Sequence, residues 1–220
     1  MNPWIAVPDA APYVLSEDRD LVERFNVRAT ARTRLETDLL PEPFVGRVEA
    51  PIVLLTLNPG VADGDFALHR QASFRERVRA CYRQEVTDWP YYYLDPTLDG
   101  PGARWSRRVL GPLIGAAGLD VVARGVVLFD YFPYHSRGFA HEALRVPSQT
   151  YGFAAVGRAL AHAAAIFITR GRRIWESAVP ELATHSRLFR TNSAQNIVIS
   201  PRNAPSGWAH ALDGLRAVAG

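Results

Sequence analysis

The stretch Ile52-Val53-Leu54-Leu55-Thr56-Leu57-Asn58-Pro59-Gly60 decides how the rest of this chain is read. Its first six residues are apolar or β-branched with no polar alternation, as a strand buried on both faces requires, and Asn-Pro-Gly then stops it with a turn. Three further runs have the same form: Gly125-Val126-Val127-Leu128-Phe129-Asp130, Ala165-Ile166-Phe167-Ile168-Thr169, and Asn196-Ile197-Val198-Ile199-Ser200, which closes on Pro201. Helical patterns cover about 70–84, 104–117, 149–164, 171–179 and 206–218. Strands alternating with helices predict an α/β protein, a three-layer α/β/α sandwich around a central four-stranded, mostly parallel sheet. Residues 1–48 read as a polar, arginine-bearing N-terminal extension, helical around Asp18 to Glu36, and residues 49–220 as one compact unit. At roughly 150 residues per domain, a length of 220 leaves no room for two full domains.

Composition narrows the chemistry. The sequence contains no lysine, so all 25 basic residues are arginine. A Walker-type phosphate loop, a lysine Schiff base and a lysine-bound pyridoxal cofactor are thereby excluded. The single cysteine, Cys81, excludes disulfide frameworks, four-cysteine zinc sites and iron–sulfur clusters. A formal charge of +3 suits an anionic partner. Arginine as the only cation fits bidentate phosphate recognition, and fits a G- and C-rich coding sequence equally well. No stretch of 18 uncharged apolar residues occurs and none reads as a targeting segment, so the expectation is a soluble cytoplasmic protein without membrane contact. Gly111 to Gly118 lies inside a helical pattern instead of directly after a strand, which argues against a dinucleotide loop. Asp63-Gly64-Asp65 reads as a solvated turn, and no metal site is expected.

In open parallel sheets ligands lie outside the carboxyl ends of the strands. Three of the four runs end in unusual chemistry: Leu57 to Gly60, Phe129-Asp130-Tyr131-Phe132-Pro133-Tyr134-His135-Ser136, and Ser200-Pro201-Arg202-Asn203 followed by Gly207-Trp208. These ends should converge. With Asn-Pro-Gly after the first strand and Ser-Pro-Arg-Asn after the last, the chain resembles the uracil-DNA glycosylase superfamily, in particular its mismatch-specific and single-strand-selective branches. Leu40-Pro41-Glu42-Pro43-Phe44 and the helix containing Trp105 are also similar to family members, and the resemblance runs in order from about 38 to 218.

The resemblance implies excision of a flipped base from DNA through an oxocarbenium-like sugar, without metal or organic cofactor. In that reading Asn58 positions the attacking water; outside it, Asn58 is a turn residue before proline. Leu57, Pro59, Gly60, Phe66 and Asp130 would border the base, with Phe66 either stacking on it or simply filling the core. At the Asp130 position uracil-specific members carry an asparagine. An ionised carboxylate only accepts hydrogen bonds, so it suits the amino group of cytosine and opposes the uracil carbonyl. A protonated Asp130, or one that merely caps the next loop, are the alternatives. Many relatives have a histidine at the position of Val198, and His135 is the candidate substitute for stabilising the leaving base, its alternative being an ordinary buried histidine. Ser200, Pro201, Arg202, Asn203 and Ser206 would grip the strand, Arg202 as a wedge and the serines on phosphate. Trp89-Pro90-Tyr91-Tyr92-Tyr93 borders the pocket or packs a loop, and the sequence does not choose.

The expectation is therefore a monofunctional DNA glycosylase acting on a pyrimidine, a modified cytosine before plain uracil, in defence against phages with modified DNA. The alternatives are a uracil or mismatch glycosylase of base-excision repair, a catalytically weak nucleic-acid-binding sensor, and a nucleoside hydrolase.

Overall fold

The computed structural model describes residues 1–193 and 195–220. Five strands form one sheet: β1 (Phe44–Gly46), β2 (Ile52–Thr56), β3 (Val126–Asp130), β4 (Ala165–Ile168) and β5 (Leu188–Arg190), in the order β1-β3-β2-β4-β5. β2, β3, β4 and β5 are parallel, and β1 closes one edge antiparallel to β3. Every residue of β2, β3 and β4 is buried, as strands covered on both faces must be. The helices are α1 (Arg19–Arg28), α2 (Asp63–His69), α3 (Ala72–Arg83), α4 (Pro101–Ala117), α5 (Leu119–Gly125), α6 (Gln149–Ala159), α7 (Arg172–Ala178) and α8 (Pro205–Ala219). The whole is a three-layer α/β/α fold. No helix is long and apolar enough to cross a membrane among the described residues.

Helix α8 lies across β2, β4 and β5, with α4 and α5 against it. Glycine permits this closeness. A Cβ on Gly207 would stand 2.6 Å from the rings of Phe167 and Phe189, and one on Gly214 2.7 Å from Ala164 Cβ. In the opposite layer α6 and α7 meet through Phe153 and Trp175, whose rings are 5.9 Å apart, and Trp175 Nε1 donates to the Thr56 carbonyl at 2.8 Å. Residues 1–48 share this core: Trp4, Val14, Leu15, Val22, Leu35 and Leu40 are buried within the same apolar cluster as the sheet.

The fourth parallel strand is not where the apolar pattern put it. Residues 196–200 form no ladder; the Ile199 amide instead donates to the Val109 carbonyl of α4 at 2.9 Å. Leu188–Arg190 takes the place beside β4, with one buried residue in three. β1 adds a fifth strand that three residues beside two prolines do not announce.

Chain order sets the position of the site. From β2 the chain moves to β3 on one side, then crosses over to β4 on the other. The carboxyl ends of β2 and β4 therefore feed loops running in opposite directions, and between such loops a parallel sheet opens a crevice.

Candidate active site

A cavity of about 520 Å³ occupies that crevice. Leu57, Asn58, Pro59 and Gly60 from the end of β2, Asp130, His135 and Ser136 from the end of β3, and Thr169 and Arg170 after β4 all line it. Its walls include Tyr91, Tyr93, Trp105 and Phe139, and exposed Arg32, Arg137 and Arg170 stand among its lining. Of these arginines, Arg137 is paired with Asp63 at 2.8 Å.

Asn58 is held by its neighbour strand's loop. Its Nδ2 donates to Ser136 Oγ and to the Pro59 carbonyl, each at 2.9 Å, while Ser136 Oγ donates onward to the Gly138 carbonyl at 3.2 Å. The amide nitrogen is thus committed and Oδ1 is the group left to accept from a water or a ligand.

Asp130 sits opposite Thr56 in the ladder, and Thr56 Oγ1 is bonded to Asp130 Oδ1 and lies 3.1 Å from the Phe129 carbonyl. Burial pushes the Asp130 carboxyl well above the ordinary carboxylate range; the Thr56 bond pulls the other way, and the nearby Glu42 adds to the rise. This environment favours the protonated alternative for Asp130 over the ionised, acceptor-only one, because a carboxylate here would lose its water without gaining a cation.

His135 is almost fully enclosed, and both ring nitrogens face backbone carbonyls: Nδ1 lies 2.9 Å from Gly60 O and Nε2 2.9 Å from Leu40 O. The ring braces two loops, and neither nitrogen is left over for a departing base. Phe66 is half-buried on α2 and does not line the cavity. Its neighbour Asp65 does, and a helix turns successive side chains by about 100°. Asp65 itself is buried, against the expectation of a solvated turn, because its Oδ2 reaches back to the Ala62 amide at 2.7 Å and caps α2. Asp63 remains exposed.

Of the last loop, Ile197 lines the cavity. Pro201, Arg202 and Ser206 are exposed, and Arg202 makes no ion pair among the described residues. Asn203, expected on DNA, is spent inside the loop. Its Nδ2 donates to the carbonyls of Asn196 and Val198 and its Oδ1 accepts the Ser193 amide, while Ser200 Oγ accepts the Asn203 amide at 3.1 Å.

Glu42, Tyr91, Tyr93, Trp105 and Asp65 received no definite role from the sequence. For Glu42 the signal was there: a carboxylate between two prolines just ahead of an apolar strand is poorly explained as a solvated side chain. Tyr91 and Tyr93 decide the question left open for the aromatic cluster, since both line the cavity.

Glu42, His69 and His135 bring ligand-type atoms within 4.8 Å of one another. The residues do not suit a cation. The Leu40 amide donates to His69 Nδ1 at 3.0 Å, which places the ring proton on Nε2, and both nitrogens of His135 are occupied. His69 is held neutral, its pKa lowered to about 2 by burial, with the neighbouring His135 and Arg75 adding to the fall.

Comparison of the chain with protein-family models, with curated proteins and with solved structures gave no match.

Proposed function

We propose that the protein is a monofunctional DNA glycosylase that receives a flipped pyrimidine nucleotide in this cavity and hydrolyses its N-glycosidic bond. The observation that carries the reading is the cavity's polarity. Buried carboxyls and aromatic faces line its interior, and exposed arginines stand among its lining residues. A flipped nucleotide has the matching polarity, a flat hydrogen-bonding base at one end and phosphates at the other. Asn58 Oδ1 accepts a hydrogen from water and so turns a lone pair toward the anomeric carbon. As an amide it orients without taking a proton.

A neutral Asp130 offers two ways to read a base. With its proton on Oδ1, it donates to Thr56 Oγ1, which donates to the Phe129 carbonyl, and all three groups are satisfied. Oδ2 then faces the ligand as a pure acceptor, the partner for a cytosine amino group. With the proton on Oδ2, the acid presents a donor beside an acceptor and fits a uracil edge; this second reading, a uracil or mismatch glycosylase of base-excision repair, leaves the Phe129 carbonyl without its hydroxyl. The first arrangement satisfies more groups, and we take a cytosine-type base as the target. Because plain cytosine is ubiquitous in DNA, such an enzyme must require a modification, and defence against phages with modified DNA is the setting that fits.

The test is incubation with duplexes carrying uracil, mismatches or modified cytosines, identifying any released base by mass. Base release that shifts toward uracil in Asp130→Asn is the expected result. An unaltered profile in that variant overturns the role of Asp130, and no release from any duplex overturns the glycosylase reading.

A further inference from the structure

The proposed reaction lacks an acid. Asn58 cannot supply a proton, Val198 stands where the sequence resemblance leads one to look for a histidine, and the His135 ring is taken up by two carbonyls. Among the cavity's ionisable groups Glu42 is the one built to move a proton, and its backbone shows why. Pro41, Glu42 and Pro43 are bolted down one after another: the Pro41 carbonyl accepts the Tyr82 hydroxyl, the Glu42 amide donates to the Pro133 carbonyl at 2.9 Å, and the Pro43 carbonyl accepts the Asp130 amide at 3.1 Å. Proline at 41 fixes its own φ, and proline at 43 keeps Glu42 extended. The strut therefore carries the Glu42 carboxyl into the cavity at a fixed place beside the end of β3.

Glu42 is 5% exposed as a residue and lines the cavity. Tyr93 donates to Oε1 at 2.6 Å. The Tyr92 hydroxyl also lies near the carboxyl but makes no well-formed hydrogen bond. Oε2 likewise makes none among the described residues and is not sealed from solvent, which leaves it the oxygen open to the cavity. The groups around it come from every side: Tyr91, Tyr92 and Tyr93 from the turn before α4, Asp65 and His69 from α2, Cys81 and Tyr82 from α3, and Asp130 and His135 from β3 and the loop after it.

We propose that Glu42 is the catalytic acid of the glycosylase reaction, giving the proton on Oε2 to the departing base. The inference rests on the glycosylase reading. As the bond between C1′ and the base nitrogen breaks, its electron pair leaves with the base and the Glu42 proton joins it. The water held at Asn58 forms the new bond to C1′, and the proton it sheds returns through cavity water to the Glu42 carboxylate. The base leaves neutral, the sugar gains a hydroxyl, and the acid is restored. Burial raises this carboxyl above its ordinary value and so favours the protonated form between turnovers; the neighbouring His135 and then the Tyr93 hydroxyl pull it back toward a range in which the proton can be given up.

The experiment compares wild type, Glu42→Gln and Tyr93→Phe on the duplex that wild type cleaves best from a panel bearing uracil, 5-methylcytosine or 5-hydroxymethylcytosine, measuring single-turnover base release from pH 5 to 9 and DNA binding by anisotropy. Glutamine keeps the shape and still accepts from Tyr93 but has no acidic proton. The expected result is a loss of about 10²-fold or more in rate with DNA affinity unchanged, and disappearance of the alkaline fall in rate. In Tyr93→Phe that fall should move to higher pH, because the hydroxyl that favours the ionised form is gone; a role in packing alone would not move it. The infrared band of a protonated carboxyl should be lost in Glu42→Gln beside an Asp130→Asn control. A Glu42→Gln enzyme that cleaves within threefold of wild type across the range overturns the acid while leaving the glycosylase intact. A wild type that releases no base overturns the glycosylase reading and the acid with it, and the infrared comparison then still reports whether Glu42 carries a proton.

Discussion

The loop that follows β2 is braced by its neighbours, whereas the tip of the loop that precedes α8, around Arg202, is braced by that loop itself. Around Asn58 the supports come from elsewhere in the chain: Phe132 N to Leu57 O at 2.8 Å, Ser136 N to Pro59 O at 3.2 Å, Asn58 Nδ2 to Ser136 Oγ, and the His135 ring between Gly60 and Leu40. Around Arg202 they are internal: Asn192 N to Asn203 O at 2.7 Å, Asn192 Nδ2 to Arg202 O at 3.0 Å, and the four bonds made through Asn203 and Ser200. The first arrangement fixes a side chain relative to the sheet. The second fixes a loop's shape and leaves its tip in solvent, an arrangement suited to capturing a strand but not to aligning a water. Positioning chemistry demands tolerances that only the first kind of support provides.

The sharpest way to break the contrast is Asn58→Ala. It removes the acceptor for water and leaves Ser136 short of a partner, with an expected loss of about 10²–10³-fold in base release and little change in DNA affinity, measured by single-turnover kinetics and anisotropy. A loss confined to affinity would place Asn58 with the capture loop instead.

Next in size is an acid sensitivity of the braced region. His141, buried against Phe25, Phe132 and Phe139, has neither ring nitrogen bonded among the described residues, and burial lowers its pKa from 6.5 to about 4. The unfolded chain takes up this proton first, so the contribution is complete above about pH 6.5 and is lost as pH falls toward 4. Between those values, at ~1.4 kcal/mol per tenfold, about 3 kcal/mol of stability should go. Glu42 and Asp130 work against this slope, since their raised pKa values make the folded state the better proton binder in the same interval. The comparison that isolates His141 is therefore His141→Leu against wild type in denaturant melts at pH 7 and pH 4.5. The variant should gain relative stability at the lower pH, and equal slopes would dismiss the effect.

The smallest effects belong to the self-braced loop, where two neighbouring substitutions should part company. Asn203→Ala should cost about 1–2 kcal/mol of stability by releasing its hydrogen bonds, read from urea melts. Arg202→Ala should leave stability alone, weaken DNA binding several-fold and lower the salt slope of binding by about one. Both acting alike on stability would mean that the tip is not free.

The same contrast explains which parts could be read from the sequence. The central strands announce themselves because burial on both faces leaves them no polar positions, and their ends mark the crevice. Ile197 and Ile199 misled for the same reason: they are as apolar as a strand, but they are buried in a loop that bonds to α4 through the Ile199 amide and is stapled by Asn203, and no spacing in the sequence shows a side chain bonding to backbone five and seven residues away. Leu188–Arg190 was invisible because an edge strand with one buried residue carries almost no pattern. At the site, Asn58 and Asp130 could be found since they terminate strands. Glu42 and Tyr93 could not be placed, because their meeting spans 51 positions of chain and is made by tertiary packing alone. The charge state of Asp130 was equally hidden, being a property of what surrounds the residue and not of the residue.

One consequence of the His135 crosslink concerns which molecule must deform. By tying Gly60 to Leu40, and through its own carbonyl the Glu36 amide, the ring makes three distant stretches of chain move as one body. Bracing of this kind resists closure of the cavity around a guest, so in the proposed reading it is the nucleotide that comes out of the helix to the cavity. If the proposed glycosylase reading holds, the mechanical work of the encounter falls on the nucleic acid, and substrates should rank by how weakly the target nucleotide is stacked and paired, with frayed ends, mismatches and single strands ahead of intact duplex.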